Sequence, residues 1–211
     1  MCLIAFAWQP DQDCPLVVAA NRDEFHDRPA AAMDWWDDAP DILGGRDLRA
    51  GGTWLGSSRR GRFAALTNYR EMQQTAEGAP SRGALVADFL RGSLSPRDYA
   101  AGVDLERYAG FSLLMFDGRE FWFLANRESA GLQRIEPGLH ALSNGALDSP
   151  WPKVRRAREA LDAAMESDRG TAALLDMMGQ TAPAEDAALP DTGVGIELER
   201  FLSPMFIRGE N

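Results

Sequence analysis

The sequence predicts an α+β fold in which antiparallel sheets are layered with helices. Paired apolar runs of strand length come first, helical patterns follow in mid-chain, and strands and then helices recur towards the end. At 211 residues, 45% of them hydrophobic, the chain fits one domain that can bury a core. No repeat or linker divides it, so we expect a single domain over residues 1–211.

Apolar runs joined by short polar turns predict the strands. Residues 2–8 and 16–20 flank the polar segment 9–14, which is typical of a hairpin with buried strands. Residues 25–41 are rich in Asp, Ala and Pro, so we expect an irregular segment there. The other strand patterns are hairpins over residues 54–68 and 111–125 and a shorter strand over residues 138–143.

Capping residues and helical spacing predict the helices. Ser81 is a candidate N-cap for a helix ending at Arg91, and Ser95 followed by Pro96 is a stronger start signal. Shorter helical segments are expected over residues 171–178 and 196–206. Pro152 opens the longest helix, and its apolar face holds Val154, Ala157, Leu161, Ala164 and Met165.

The composition argues against several functional classes. The net charge is −10, and a solvated turn and a solvated helix face explain the two basic clusters at residues 59–62 and 153–158, so we expect no nucleic-acid partner. No run approaches the roughly 18 apolar residues of a membrane span. His26 and His140 lack metal-ligand spacing and there is no phosphate-binding glycine loop, so neither a metal nor a cofactor is predicted.

Cysteine usage bears on the compartment. Cys2 and Cys14 are too few for a disulfide scaffold. Pairing of the two across the first hairpin is the alternative, and reduced thiols are the expectation. Arginine is abundant and Lys153 is the only lysine, which is typical of a bacterium of high genomic GC content. We therefore expect a cytoplasmic location.

Cys2 is the most informative residue because of its position. Removal of Met1, which is favoured before a small side chain, would leave Cys2 with a free α-amine beside its thiol. The amine, with a reference pKa of about 7.7–8.0, is able to take the proton of a thiol of pKa about 8.5. One residue would then supply both nucleophile and base. The alternative is a buried cysteine at the start of a core strand.

The run 21–24 places four hydrogen-bonding side chains behind a buried strand. Strand alternation sends Arg22 and Glu24 to one face, and Asn21 and Asp23 to the other. An arginine paired with a carboxylate near the nucleophile would stabilise a thiolate or orient the amine. The alternative is a salt bridge in a turn at the end of the strand.

Two asparagines at strand ends are candidate oxyanion ligands. Asn144 follows the strand predicted over residues 138–143, and Asn68 ends an earlier one. Each amide would be able to donate a hydrogen bond to an oxyanion. The alternative at both positions is a turn residue, and Asn144 is followed by Gly145, a pair that favours turns.

Taken together, these residues resemble the NRDE family, that of the transport and Golgi organization protein two, named for the tetrad at residues 21–24. Each motif alone is weak, but their order and spacing are highly specific. The matching motifs run along the whole chain: Met-Cys-Leu-Ile at residues 1–4, Ala-Ala-Asn-Arg-Asp-Glu-Phe at 19–25, Arg-Pro at 28–29, Gly-Gly-Thr-Trp-Leu-Gly at 51–56, Ala-Leu-Thr-Asn-Tyr at 65–69, Leu-Ser-Asn at 142–144, Pro-Trp at 150–151, Leu-Ser-Pro at 202–204 and Phe206.

The resemblance implies a four-layer αββα sandwich of antiparallel sheets, similar to the acylase branch of the N-terminal-nucleophile hydrolases. Carried over by motif, the catalytic residues are Cys2, Arg22, Asp23 and Asn144, with Asn68 a weaker carry-over. Arg22 and Asp23 are adjacent here, whereas the acylases usually separate theirs. Family members usually continue with closing strands, so the resemblance implies either that the chain is truncated or that its sheet is incomplete.

Two functions follow from this resemblance. One is an N-terminal-nucleophile amidohydrolase or acyltransferase, which acts on a linear amide or acyl substrate through a thioester on Cys2. The other is a non-catalytic binding or trafficking protein of the transport and Golgi organization type, which holds a haem, lipid or acyl ligand. Fold alone does not decide between them. The partner expected in either case is a small molecule.

Overall fold

The computed structural model describes residues 2–9, 11–72, 78–127, 131–167 and 169–209. Its described residues fall into two compact units, each with its own sheet. The three-stranded unit takes its residues from 1–24, 70–72 and 136–211, and the seven-stranded unit from 25–69 and 73–135. One family domain over residues 1–211 stays a prediction.

The described residues form ten strands and five α-helices, with short 3₁₀ turns at Leu105–Arg107 and Asp186–Ala188. The strands are β1 (Cys2–Trp8), β2 (Leu16–Arg22), β3 (Ala30–Trp36), β4 (Ala39–Asp47), β5 (Leu55–Ser58), β6 (Phe63–Asn68), β7 (Phe111–Phe116), β8 (Phe121–Ala125), β9 (Leu132–Arg134) and β10 (Gly138–Leu142). The helices are α1 (Gly83–Arg91), α2 (Pro96–Ala101), α3 (Pro152–Met165), α4 (Thr171–Met178) and α5 (Ile196–Phe201).

The sheet of the three-stranded unit is antiparallel and has β1 at its centre, between β10 and β2. Every residue of β1 is buried, which explains why its sequence is an unbroken apolar run and not an alternating one. The predicted hairpin of residues 2–8 and 16–20 is confirmed, and β2 continues to Arg22.

Helix α3 covers one face of this sheet. Alternate residues of β1, namely Leu3, Ala5 and Ala7, share one apolar cluster with α3. Four of the five residues predicted for the apolar face of α3 are buried in that cluster. The fifth, Met165, is 36% exposed because it ends the helix, so its assignment to the core was wrong.

The seven-stranded unit contains an antiparallel sheet whose strands follow chain order from β3 to β9. Helix α1 packs on β4, β5 and β6. Ser81 was predicted to cap this helix, but the N-cap is Arg82 and no side chain caps it. Gly52 passes so close to the start of α1 that an added Cβ would lie 2.5 Å from the carbonyl carbon of Gly83.

Residues 25–41 contain strand structure, so the expectation of an irregular segment was wrong. They include all of β3 and the start of β4. β3 is exposed except at Trp36, so it shows no apolar alternation, and its three alanines are poor strand formers. Its pairing with β4 is irregular at two places, between Ala31 and Asp34 and between Trp35 and Trp36. No helix among the described residues is long and apolar enough to cross a membrane.

Asp148 holds the turn that follows β10. Its Oδ2 lies 2.6 Å from His140 Nδ1, and its Oδ1 accepts a hydrogen bond from the Ala141 N–H at 2.9 Å. The N–H of Asp148 donates in turn to the Ala141 carbonyl at 3.0 Å, and Asp148 adopts a φ of 54°. The contact between His140 and Asp148 therefore shapes the turn that carries Asn144.

The same pair makes the stability of the fold depend on pH. Burial lowers the pKa of His140, but its hydrogen bonds to Asp148 and to the Glu136 carbonyl outweigh burial and leave the pKa raised. A raised pKa means that the folded state binds this proton more tightly than the unfolded state. The stabilising contribution is complete below the unfolded pKa of about 6.5 and is lost as pH rises through the folded value.

We predict that His140→Gln lowers the free energy of unfolding more at about pH 5.5 than at about pH 8.5, because the protonated imidazole makes the stronger contact. The pKa of Asp148 is lowered, against burial, by its hydrogen bond from His140, so the carboxylate is still charged at the acidic end. Urea unfolding followed by tryptophan fluorescence at both pH values measures the effect. His26→Gln, at an exposed histidine, is the control. Equal losses at the two pH values for His140→Gln would contradict the linkage.

We predict that Leu161→Ala destabilises the fold by about 2–5 kcal/mol, because it opens a cavity between α3 and β1. Leu161 is 0% exposed. Leu175→Ala on α4 is the matched control, since that side chain is 70% exposed, and its effect should stay within about 0.5 kcal/mol. Urea unfolding measures both variants, and similar losses would mean that α3 does not pack as described.

Candidate active site

Cys2 is the first residue of β1 and pairs with Arg22 of β2. The residue is 7% exposed, and burial raises the pKa of its thiol to about 11. At neutral pH the thiol is therefore protonated. It needs a base before it can act as a nucleophile, because the thiolate is the reactive form.

The turn after β10 meets both backbone groups of Cys2. Asn144 is fully buried, and its Oδ1 accepts a hydrogen bond from the Cys2 nitrogen at 3.5 Å. The hydroxyl of Ser143 donates to the Cys2 carbonyl at 3.0 Å and to Asn144 Oδ1 at 3.2 Å. The side-chain amide oxygen of Asn144, and not its nitrogen, thus faces the nitrogen of Cys2. Its role as an oxyanion ligand stays a prediction.

Of the four residues 21–24, Asn21 anchors the end of β2 and the other three carry charge. Asn21 Nδ2 donates to the carbonyls of Met178 and Met205, at 2.8 and 2.9 Å. Arg22 Nη2 lies 3.4 Å from Glu24 Oε2, which confirms that these two side chains share a face, although both are about a quarter exposed. Asn21 therefore ties β2 to the C-terminal part of the unit.

Asp23 is a half-buried acid of the same run. Burial raises the pKa of its carboxyl group, and the positive charge of Lys153 opposes that rise. The negative charge of Asp23 contributes in turn to the raised pKa of the Cys2 thiol. Cys2, Asp23 and Lys153 therefore interact electrostatically within the three-stranded unit.

Lys153 is a site residue that the sequence analysis missed. It was assigned to a solvated helix face, and this was wrong, because the residue is 2% exposed. Its Nζ donates to the Leu202 carbonyl at 2.9 Å, and burial, followed by repulsion from Arg70, lowers its pKa to about 8. Lys153 lies four and eight residues before Ala157 and Leu161, so helical spacing does place it on the buried stripe of α3.

A buried ion pair lies in the same unit. Arg70 Nη1 contacts Glu199 Oε2, and the two side chains are 4% and 2% exposed. The Arg70 N–H donates to the Asn144 carbonyl at 2.7 Å, and its guanidinium lies 4.6 Å from the centre of the Trp151 ring. The pair thus connects α5 to the turn that faces Cys2. Sequence patterns gave no signal for it, because 129 residues separate the partners.

Asn68 is described with the seven-stranded unit. It is the last residue of β6 and pairs with Phe111 of β7. Its catalytic role stays a prediction. The residues that the structure gathers in the three-stranded unit are the predicted Cys2, Arg22, Asp23 and Asn144, together with Arg70, Lys153 and Glu199.

The fold is of the N-terminal-nucleophile hydrolase class, as predicted. The chain is similar in structure to a *Caenorhabditis elegans* N-acylethanolamine-hydrolyzing acid amidase ortholog, with a TM-score of 0.58 over 99% of this chain and 100% of that one. The two sequences are 7% identical, so this likeness shows the fold alone.

The chain belongs to the Transport and Golgi organisation 2 family, whose pattern it matches over residues 1–211. It is 33% identical over 225 residues to the Transport and Golgi organization 2 homolog of *Mus musculus*, a match that covers 97% of this chain and 80% of the relative. The *Homo sapiens* homolog is 34% identical with the same coverage, and the *Drosophila melanogaster* protein is 26% identical over 79% of this chain and 66% of its own length.

We predict that Glu199→Leu costs about 3–5 kcal/mol of stability, because it leaves the Arg70 charge buried without its carboxylate. Adding Arg70→Met should restore most of the loss, since both charges are then gone. Asp176→Ala is the control: it breaks an Arg169–Asp176 pair whose side chains are 57% and 64% exposed, and should cost about 1 kcal/mol or less. Chemical unfolding of the four proteins forms the cycle, and additive losses would contradict a coupled pair.

Proposed function

We propose that this protein is an N-terminal-nucleophile amidohydrolase or acyltransferase that acts on a linear amide or acyl substrate through Cys2. The observation that carries the proposal is the environment of Cys2, whose nitrogen bonds to Asn144 and whose thiol interacts with Arg22 and Asp23. The fold, which is similar to that of an amidase, supports the same chemistry. Removal of Met1 is a requirement, because only then is the Cys2 nitrogen an amine.

In the proposed reaction the Cys2 sulfur attacks the carbonyl carbon of the amide while the thiol proton passes to the α-amine. The C–N bond then breaks, the departing amine takes that proton, and the acyl group remains on sulfur as a thioester. Water attacks the thioester, releases the carboxylic acid and restores the thiol. In the acyltransferase alternative another nucleophile takes the place of water.

The raised pKa of the thiol means that the proposed reaction needs a base, and the α-amine is the proposed one. A thiol of pKa about 11 is protonated at neutral pH, so attack requires a proton acceptor beside it. The side-chain oxygen Oδ1 of Asn144 accepts a hydrogen bond from the Cys2 nitrogen, and the Ser143 hydroxyl donates to the same Oδ1. The Asn144 amide nitrogen is the proposed donor to the oxyanion.

We predict that Cys2→Ala lowers amide hydrolysis by about a thousandfold or more, because it removes the nucleophile. The assay follows amine release from a panel of linear acyl amides, with a thioester trapped by rapid acid quench and mapped to Cys2 by mass spectrometry. Cys14→Ser is the matched control and should keep full activity, since Cys14 is an exposed free thiol. Hydrolysis that survives Cys2→Ala, or active protein that fully retains Met1 by intact mass, would overturn the proposal.

A second candidate function is a non-catalytic binding or trafficking protein that holds an acyl, lipid or haem-like ligand. The burial of Cys2 favours it, because a thiol that is 7% exposed is poorly placed for attack. Titration of wild type and Cys2→Ala with a fluorescent acyl chain and with haem tests this candidate. Binding that survives the substitution, in a protein that hydrolyses no amide of the panel, supports the carrier.

The proposal also assigns the protein to the cytoplasm. Cys2 and Cys14 are both free thiols, which suits a reducing compartment. Fractionation of the source cells, with immunodetection of the protein in the soluble cytoplasmic fraction, tests the assignment.

A further inference from the structure

Lys153 is a charged group that the proposed reaction does not use. It is the only lysine of the chain, and it is buried at the second position of α3. Its Nζ donates to the carbonyl of Leu202, a neutral acceptor, at 2.9 Å. A neutral carbonyl does not neutralise the charge of a buried ammonium. A nearby negative charge is therefore needed to offset the free-energy cost of burying the ammonium.

Within the three-stranded unit, a series of contacts between neighbouring residues connects Lys153 to Cys2. Asn144 contacts the Cys2 nitrogen, and its own carbonyl accepts from the Arg70 N–H. The next residue, Gly145, lies against the Trp151 ring, which an added Cβ would approach to 3.0 Å. Trp151 is the N-cap of α3, two residues before Lys153. The start of α3 therefore lies next to the turn that holds the nucleophile.

Both arginines that act on the site have ionic partners. Arg70 pairs with Glu199, and Arg22 pairs with Glu24. The groups that act on Lys153 are Arg70, which repels its charge, and Asp23, Cys2 and Glu199, which attract it. Asp23 attracts Lys153 most strongly, followed by Cys2 and then by Glu199, which also pairs with Arg70.

We propose that Lys153 is a positioning residue whose ammonium charge compensates negative charge on Asp23 and on the Cys2 sulfur, and so sets how readily the thiol gives up its proton. This role rests on the proposed function of Cys2, since it assigns a third group to the same site. No bond to Lys153 forms or breaks. The thiol proton still passes to the α-amine, and the ammonium stabilises the thiolate that is left.

The first test measures the ionisation of Cys2 without any substrate. In a Cys14→Ser background Cys2 is the sole cysteine, so its alkylation by iodoacetamide is followed by intact mass as a function of pH. Lys153→Met should slow alkylation by about tenfold at about pH 7, where Lys153, with a pKa of about 8, still carries its charge; this slowing corresponds to a rise of one pKa unit in the thiol. Lys153→Arg should restore much of the rate, because it returns the charge.

Arg156→Met is the matched control for a merely structural role. Arg156 also lies on α3 and also donates to backbone carbonyls, those of Ala182 and Pro183, at 3.0 and 3.2 Å. It should leave the alkylation profile unchanged. A Lys153→Met profile that superimposes on that of the parent, or an equal slowing by Arg156→Met, would overturn the proposal.

The second test needs no change at Lys153 and so is independent of how its variants fold. Because the chain has one lysine, labelling with ¹³Cε-lysine gives a single side-chain signal that reports the pKa of Lys153 directly. Asp23→Asn should lower that pKa, since it removes a neighbouring negative charge. An unchanged pKa in Asp23→Asn would exclude the coupling.

The two proposals fail in different ways. Wild-type protein that hydrolyses no amide but shows both the alkylation effect and the lysine shift would contradict the enzyme and leave the electrostatic role of Lys153 standing. Protein that hydrolyses amides through Cys2 but shows neither effect would contradict the role of Lys153 alone.

Discussion

Burial of β1 from its first residue is the constraint on which the site depends, because every polar group of Cys2 must find its partner inside the protein. Ser143 satisfies the Cys2 carbonyl, and Asn144 meets its nitrogen. Both partners lie on the turn after β10, so that turn needs one defined shape. Asp148 provides it from one side through Ala141, and Arg70 provides it from the other through the Asn144 carbonyl.

The same burial limits how charge is arranged around the sulfur. Ions taken out of water must be paired, and the unit meets this need by joining segments far apart in the chain. Arg70 forms an ion pair with Glu199. The charge of Lys153 is attracted by Asp23 and by Cys2. The resting thiol is neutral in such a setting. In the proposed reaction, activation of the thiol therefore requires transfer of its proton to a nearby base, and the proposed role of Lys153 is to stabilise the thiolate that is left.

The elements that could be predicted are those whose own residues carry the signal. The first hairpin has continuous apolar runs, α4 has bounds identical to the prediction, and Ser95 caps α2 through the Asp98 N–H as expected. β3 was missed because its exposed, alanine-rich sequence carries no strand signal. The strand forms through its pairing with β4.

The residues of the candidate site also differ in how far the sequence predicts them. Sequence motifs indicated Cys2, Arg22, Asp23 and Asn144, whereas Arg70 and Glu199 meet only through the tertiary fold. The burial of Lys153 was predictable from its helical spacing, but the basic run that contains it was interpreted as a solvent-exposed helix face.

The outermost described strand of the seven-stranded sheet, β3, shows a last consequence of the fold. Regular exposed edges invite strands from other molecules. The two irregularities in β3, with Asp34 between them, interrupt the regular row of hydrogen-bonding groups that such a strand would need, so this edge is a poor template for an added strand.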